Sequence, residues 1–115
     1  MALNGVIKLI AAPAYLANAA ANIYTPPNAA VYTVITQIHI ANVTAGAVTY
    51  TLYIGATGGS TGGTELAKAV SVAANSVTYL PFSPGIKMTS ADFLSGLASA
   101  ATSLTITVMG YYVAS

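Results

Sequence analysis

Through most of its length the chain alternates apolar and polar residues one by one. In VYTVITQIHIANV, Tyr32, Val34, Thr36, Ile38 and Ile40 share one face with Asn42 at its end, while Thr33, Ile35, Gln37, His39 and Ala41 take the other. A period of two is the signature of a strand with one buried face. VTYTLYIG repeats it, with Val48, Tyr50, Leu52 and Ile54 against Thr49, Thr51 and Tyr53. ELAKAVSV sets Leu66, Val70 and Val72 against Ala67, Ala69 and Ser71, and SLTITVMGYYV sets Leu104, Ile106, Val108 and Tyr112 against Thr105, Thr107, Met109 and Tyr111. Threonine between aliphatics favours strand over helix, because β-branching stiffens χ1 and suits a pleated surface.

The pattern predicts strands at about 5–11, 14–25 (broken near Asn18), 31–43, 47–55, 65–73, 76–82, 86–95 and 103–113. Eight short strands punctuated by Gly, Pro, Asn and Ser point to an all-β sandwich of jelly-roll type with antiparallel pairing. Pro26-Pro27-Asn28 and the run from Pro81 to Gly85 fall at expected strand ends, where a missing amide donor does least harm. SADFLSGLASAA carries a weak helical stripe through Phe93, Leu94 and Leu97, but Gly96 weakens it and strand or irregular structure is the better reading. Val34, Ile38, Ile40, Leu52, Ile54, Leu104, Ile106 and Val108 are the expected interior. Residues 1–115 are read as one sandwich domain, with 1–22 an N-terminal arm or the first strands.

Between two of these strands lies GATGGSTGGTEL, residues 55–66, whose glycines invite comparison with phosphate loops. Gly58 and Gly63 have the spacing of a P-loop, yet Thr64 stands where the phosphate-neutralising lysine belongs. The dinucleotide fingerprint fails as well, since no two glycines are separated by one residue and no helical pattern follows. The run therefore reads as a surface connection between strands that contacts, at most, a neighbouring molecule.

Charge changes the picture most. Asp, Glu, Lys and Arg make up 4% of the chain, against about 25% in ordinary soluble domains. Backbone recognition of nucleic acid needs several cations, so that class is excluded. With 56% hydrophobic residues and hardly any charged rim, such a surface is expected to associate. There is no cysteine, hence no disulfide and no thiolate metal site. The opening MALNGVIKLIAAPAYLANAA imitates a secretory signal, but Pro13 interrupts its apolar run. No run approaches the ~20 apolar residues of a membrane-spanning helix.

Groups for catalysis are scarce. Glu65 and Asp92 are the two carboxylates, each better read as a solvated loop charge than as half of an acid/base pair. His39 is the single imidazole; it could pair with Asp92 and a serine, but no Gly-x-Ser-x-Gly elbow accompanies it. A metal would need three copies of His39 about a symmetry axis, and a strand histidine at an interface is the ordinary case. Eight tyrosines suit subunit contacts or the core better than sugar stacking, since tryptophan and most amide or acidic partners are missing. No catalytic residue, cofactor or metal is expected.

IYTPPNAAVYTVITQIHIANVTAGAVTYTLYIG, continued through LAKAVSVAANSVTYLPF and LTITVMGYYV, resembles the layout of small virion structural proteins of tailed bacteriophages, over residues 23–113. Its elements are the Tyr24-Thr25-Pro26-Pro27 corner, the long strand closing on Asn42, and the alternating strand with its glycine loop. The resemblance implies a β-sandwich or jelly roll that serves as a capsid decoration or cement subunit, or in the tail or head–tail region. It carries over no catalytic residue; Asn42 is expected to end its strand by turning the chain toward Gly46. The same resemblance implies a non-enzymatic subunit at the capsid surface, in the host cytoplasm during assembly, binding the major capsid protein and other copies of itself. A homotrimer is the preferred state, and neither nucleic acid nor membrane is a partner. Tyr53, Gly58, Gly59, Gly62, Gly63, His39 and Tyr111 are the candidate contact residues. From other classes, an extracellular carbohydrate-binding module and a small hydrolase remain as alternatives.

Overall fold

Each alternating segment folds as a strand in the structure, a computed structural model that describes residues 8–27, 30–56 and 64–114. The elements are β1 (Lys8–Tyr15), β2 (Ala21–Tyr24), β3 (Val31–Asn42), β4 (Val48–Gly55), β5 (Glu65–Val72), β6 (Val77–Met88), β7 (Phe93–Ala98) and β8 (Leu104–Ala114). Within SADFLSGLASAA, Phe93–Ala98 is thus strand, not helix. The expected segment 14–25 is divided between β1 and β2, and the expected segment 86–95 is divided between β6, which runs on past the predicted end at 82 to Met88, and β7.

β4 pairs with β5, β3 with β6, β2 with β7 and β1 with β8, all antiparallel, as in one long hairpin folded over on itself. Rolling that hairpin adds the pairs β3–β8 and β4–β7 and gives two four-stranded sheets, a first of order β1-β8-β3-β6 and a second of order β2-β7-β4-β5. This is the jelly-roll architecture that the alternation predicts.

The core lies between the sheets. Ile35, Ile38, Ile40, Leu52, Met88, Leu94, Leu104 and Val108 are fully buried, and Tyr50 and Ile106 nearly so. Burying such a side chain contributes about 1.5–3 kcal/mol, so a handful of these positions decides stability. Six of the eight expected core residues are buried; Val34 and Ile54 are only half-buried.

Val34 fails for a reason that also corrects the face assigned to Tyr32 and Thr36. The pairing of β3 shifts between Ile35 and Gln37 against both of its neighbours: Ile35 faces Gly110 and Ile86, whereas Gln37 faces Met109 and Pro81. β3 gains one residue on β8 there, and β6 loops out residues 82–85 on the other side. An inserted residue reverses the in–out phase. Thr33 and Ile35 therefore point inward before the bulge, and Ile38, Ile40 and Asn42 after it. Two glycines make room. A Cβ on Gly110 would be driven into the Val34 carbonyl, and Gly85 combines φ +121° with a place where a Cβ would lie 2.6 Å from Val34 Cγ1. β5 shifts similarly between its pairs Val70–Tyr50 and Ala67–Leu52, so Ala67, assigned to the outer face, packs against the core.

At one end of the sandwich Asn42 does what was expected of it and more. Its Nδ2 donates to the carbonyls of Gly46 (2.8 Å) and Val72 (3.0 Å), and its Oδ1 accepts from the Thr44 amide (2.9 Å) and hydroxyl (2.7 Å). The side chain is 3% exposed and ties the β3–β4 turn to β5 in the opposite sheet.

Candidate assembly interface

The described candidate contact residues, His39, Tyr53 and Tyr111, divide between two faces. His39 and Tyr111 lie on the outer face of the first sheet, opposite Thr107 and Val34 of the neighbouring strands. Tyr53 lies on the outer face of the second sheet, between Glu65 and Ser95. Gly58, Gly59, Gly62 and Gly63 fall outside the described residues; the strands flanking them pair antiparallel, as a strand-to-strand connection requires. Ile54 and Thr64 close that hairpin with an amide–carbonyl bond of 2.9 Å.

The two outer faces differ in chemistry. Of the six exposed large apolar side chains among the described residues (Leu9, Tyr15, Val43, Val70, Val77 and Tyr79), register puts Leu9, Tyr15, Val77 and Tyr79 on the first face. Leu9 and Val77 are absent from the sequence-based expectations, and Tyr15 and Tyr79 enter them only among the eight tyrosines suited to contacts or the core. The strand phase of each is legible, but β1 and β6 come to flank β8 and β3 only through long-range pairing. His39 sits among them, its ring edge-on to Tyr79 with centroids 4.6 Å apart and planes at 84°, and its Nε2 is enclosed without a hydrogen-bond partner. Lys87, over the Tyr32 ring at 4.4 Å, is the one charged group placed on this face among the described side chains. The second face carries Thr49, Thr51, Ser71 and Tyr53 together with half-buried Phe93 and Leu97, and its edge strand β5 bears the exposed Glu65 and Lys68.

Among the described residues the two carboxylates stand apart. Asp92 is engaged in its own turn: its carboxylate accepts from the Thr89 amide (2.9 Å) and hydroxyl (3.1 Å), and its carbonyl accepts from Thr25 (2.7 Å). Glu65 begins β5 and Asp92 precedes β7, with β4 between those strands. Among the described residues no three His, Cys, Asp or Glu side chains come together. A cavity of about 170 Å³ opens where β1 and β2 part; Ala11, Ala14, Ala21, Leu16 and Ile23 give it a mainly apolar wall. Inside the sandwich, burial pushes the Tyr24 phenol up to about 12, aided by Tyr112 and opposed by the 2.6 Å bond with Thr33. Burial also raises Tyr50, whose hydroxyl has no partner in the protein.

No family model matches the chain, and no curated protein is similar to it in sequence. Solved structures are similar in fold. A chain of the acidic stable capsid structure of Helicobacter pylori bacteriophage KHP30 superposes with TM-score 0.56 at 11% identity, over 100% of this chain and 98% of that one. A chain of infectious bursal disease virus, Gx strain, gives 0.52 at 10% identity over 95% of this chain, which spans 32% of that longer one. A pilus protein of Bacillus endospore appendages gives 0.47 at 21% identity, over 95% and 87%. At these identities the likeness is one of fold: the chain is a jelly roll similar to those in phage and viral capsid structures.

Proposed function

We propose that this protein is a non-enzymatic structural subunit of a virion, a capsid decoration or cement protein that binds the phage head and other copies of itself. One observation carries the reading: a jelly roll whose first sheet turns an almost uncharged, aromatic and aliphatic face outward. Exposed apolar surface of this extent is characteristic of a protein that spends its working life covered. The fold likeness to a chain of the KHP30 capsid, nearly end to end in both, supports the same class. Its place is the capsid surface, reached from the host cytoplasm during assembly, with the major capsid protein as partner. Residues 1–115 act as one domain, and three copies about a local threefold are the state that the phage resemblance implies. A tail or head–tail position uses the same chemistry and is the alternative location.

The test is addition of the purified protein to capsids that lack it. It is expected to co-sediment, to occupy regular sites in reconstructions of the particle, and to raise the temperature at which the particle opens, because a ligand of the assembled state alone stabilises that state by mass action. A soluble monomer that leaves capsids unoccupied and binds a glycan array through Tyr15 and Tyr79 would replace this reading with a carbohydrate-binding module.

A further inference from the structure

Self-association in that reading can be placed on the molecule, as a twofold contact that takes the place of the threefold implied by the phage resemblance. We infer that the outer face of the first sheet packs against the same face of a second copy about a twofold axis, so that the closed unit is a dimer.

Association by strand addition is obstructed at each of the four sheet edges. β6 is interrupted by the looped-out residues 82–85, next to Pro81 and including Pro84. β1 carries Pro13 and two register shifts, between Leu9 and Ala11 and between Ala11 and Ala14. β5 is kinked where Ala69 takes φ +49° beside exposed Lys68, and β2 has only 4 residues. Prolines, bulges, edge lysines and short strands are the devices that keep sheet edges from pairing. Association is thereby left to the faces.

Of the two faces, the first has the composition of a covered surface. Leu9 (55%), Tyr15 (55%), Val77 (47%) and Tyr79 (55%) are large, apolar and exposed, and they flank the smaller Ala41, Thr105 and Thr107 of the central strands. The second face mixes the hydroxyls of Thr49, Thr51 and Ser71 with half-buried Phe93, Leu97 and Tyr53, none of its large apolar side chains on β4 and β7 being fully exposed, and it has Glu65 and Lys68 on its edge. Identical faces can meet without like-charge repulsion only where charge is sparse, and here Lys87 stands toward one end of the strands, opposite Val34. A twofold axis near His39, perpendicular to the strands, sends the two Lys87 to opposite ends of the contact. The size also fits. Four strands at about 4.8 Å spacing and roughly eleven residues at about 3.3 Å rise give a face of about 700 Å². Two such faces bury about 1,400 Å², within the range of stable specific interfaces. Sheets stacked in this way lie about 10 Å apart, with side chains interdigitating as in a sandwich core.

The chain lacks cysteine, so a single introduced thiol can cross-link only to its own copy in a partner. Thr107→Cys, near the axis, is expected to give a covalent dimer with a short bismaleimide, while Ser71→Cys on the second face gives none. In sedimentation equilibrium the wild type is expected as a dimer. Tyr79→Glu with Thr107→Glu should weaken it by more than 100-fold while strand circular dichroism is retained, and Ser71→Glu should leave it intact. Cross-linking through Ser71 but not Thr107, a wild-type trimer or monomer, or a dimer indifferent to both glutamates would overturn the twofold contact. Capsid binding by the monomeric double variant would leave the virion reading standing, so the two claims fail separately.

Discussion

Replacing Asn42 by aspartate swaps a group with two hydrogens for an acceptor at a place that has two carbonyls waiting. Asn42→Ala removes four hydrogen bonds, those to Gly46 and Val72 and both from Thr44. A typical bond is worth about 1 kcal/mol net. Thr44 and Gly46 regain water once the side chain is gone, since both lie at the surface turn. The Val72 carbonyl lies behind a 3%-exposed side chain, and a stranded buried acceptor costs about 1–3 kcal/mol. The sum for alanine is about 3 kcal/mol, or roughly 12 °C in Tm at about 4 °C per kcal/mol for a chain of this length. Aspartate keeps the two Thr44 bonds but sets a desolvated carboxylate oxygen against both carbonyls, so it should cost more, about 4–5 kcal/mol. Urea titration followed by tyrosine fluorescence measures both. Aspartate milder than alanine, or alanine within 0.5 kcal/mol of wild type, would show that the donors of Asn42 do not hold this corner.

The bulge in β3 predicts that Ile35→Ala costs about 2–4 kcal/mol in the same titration, while Val34→Ala, one residue away on the opposite face, costs under about 1. Gly110→Ala should yield no soluble folded protein, because the added methyl meets the Val34 carbonyl, whereas Gly46→Ala, with open space around it, should express and melt like wild type. Tyr50→Phe removes an unpartnered buried hydroxyl and should leave stability unchanged or raise it by about 1 kcal/mol in thermal melts. Tyr24 holds its proton more tightly when folded, so its contribution is complete below pH 10 and is lost as pH rises from 10.0 to about 12; Tyr24→Phe should flatten part of that alkaline loss in melts across the window.

How far the sequence could be read depends on what each feature rests on. The phase of β4 and the burial of Val48, Tyr50 and Leu52 are local, and alternation alone carries them. Asn42 is legible too, because an asparagine closing a strand four residues before a glycine is a local turn device. The phase of Thr33 to Thr36 was not legible, since it is set by partners far along the chain: Gly110 on one side and the loop 82–85 on the other. Gly110 inside an alternating strand, and two prolines within one, were the only local signs of it. The assembly surface divides in the same way. His39 and Tyr111 could be picked as outward-facing, but not that Tyr15 and Tyr79, some sixty residues apart in sequence, flank the same two central strands. Nor does local pattern reveal that Tyr53 belongs to the opposite side.

The nested pairing of the strands gives the chain an order in which to close. Once β4 and β5 meet, the ends of β3 and β6 are already neighbours, and the loop that their pairing must close has shrunk to the two short turns at 43–47 and 73–76. Loop-closure entropy rises with the length still free, so every completed pair lowers the barrier for the next one outward. Docking β3 against β8 is different, because it needs both outer strands in place and folds the ribbon across itself. The nesting therefore predicts that the chain zips from its middle toward its ends and rolls last, an order that pulsed hydrogen exchange would show as earlier protection of β4 and β5 than of β1 and β8.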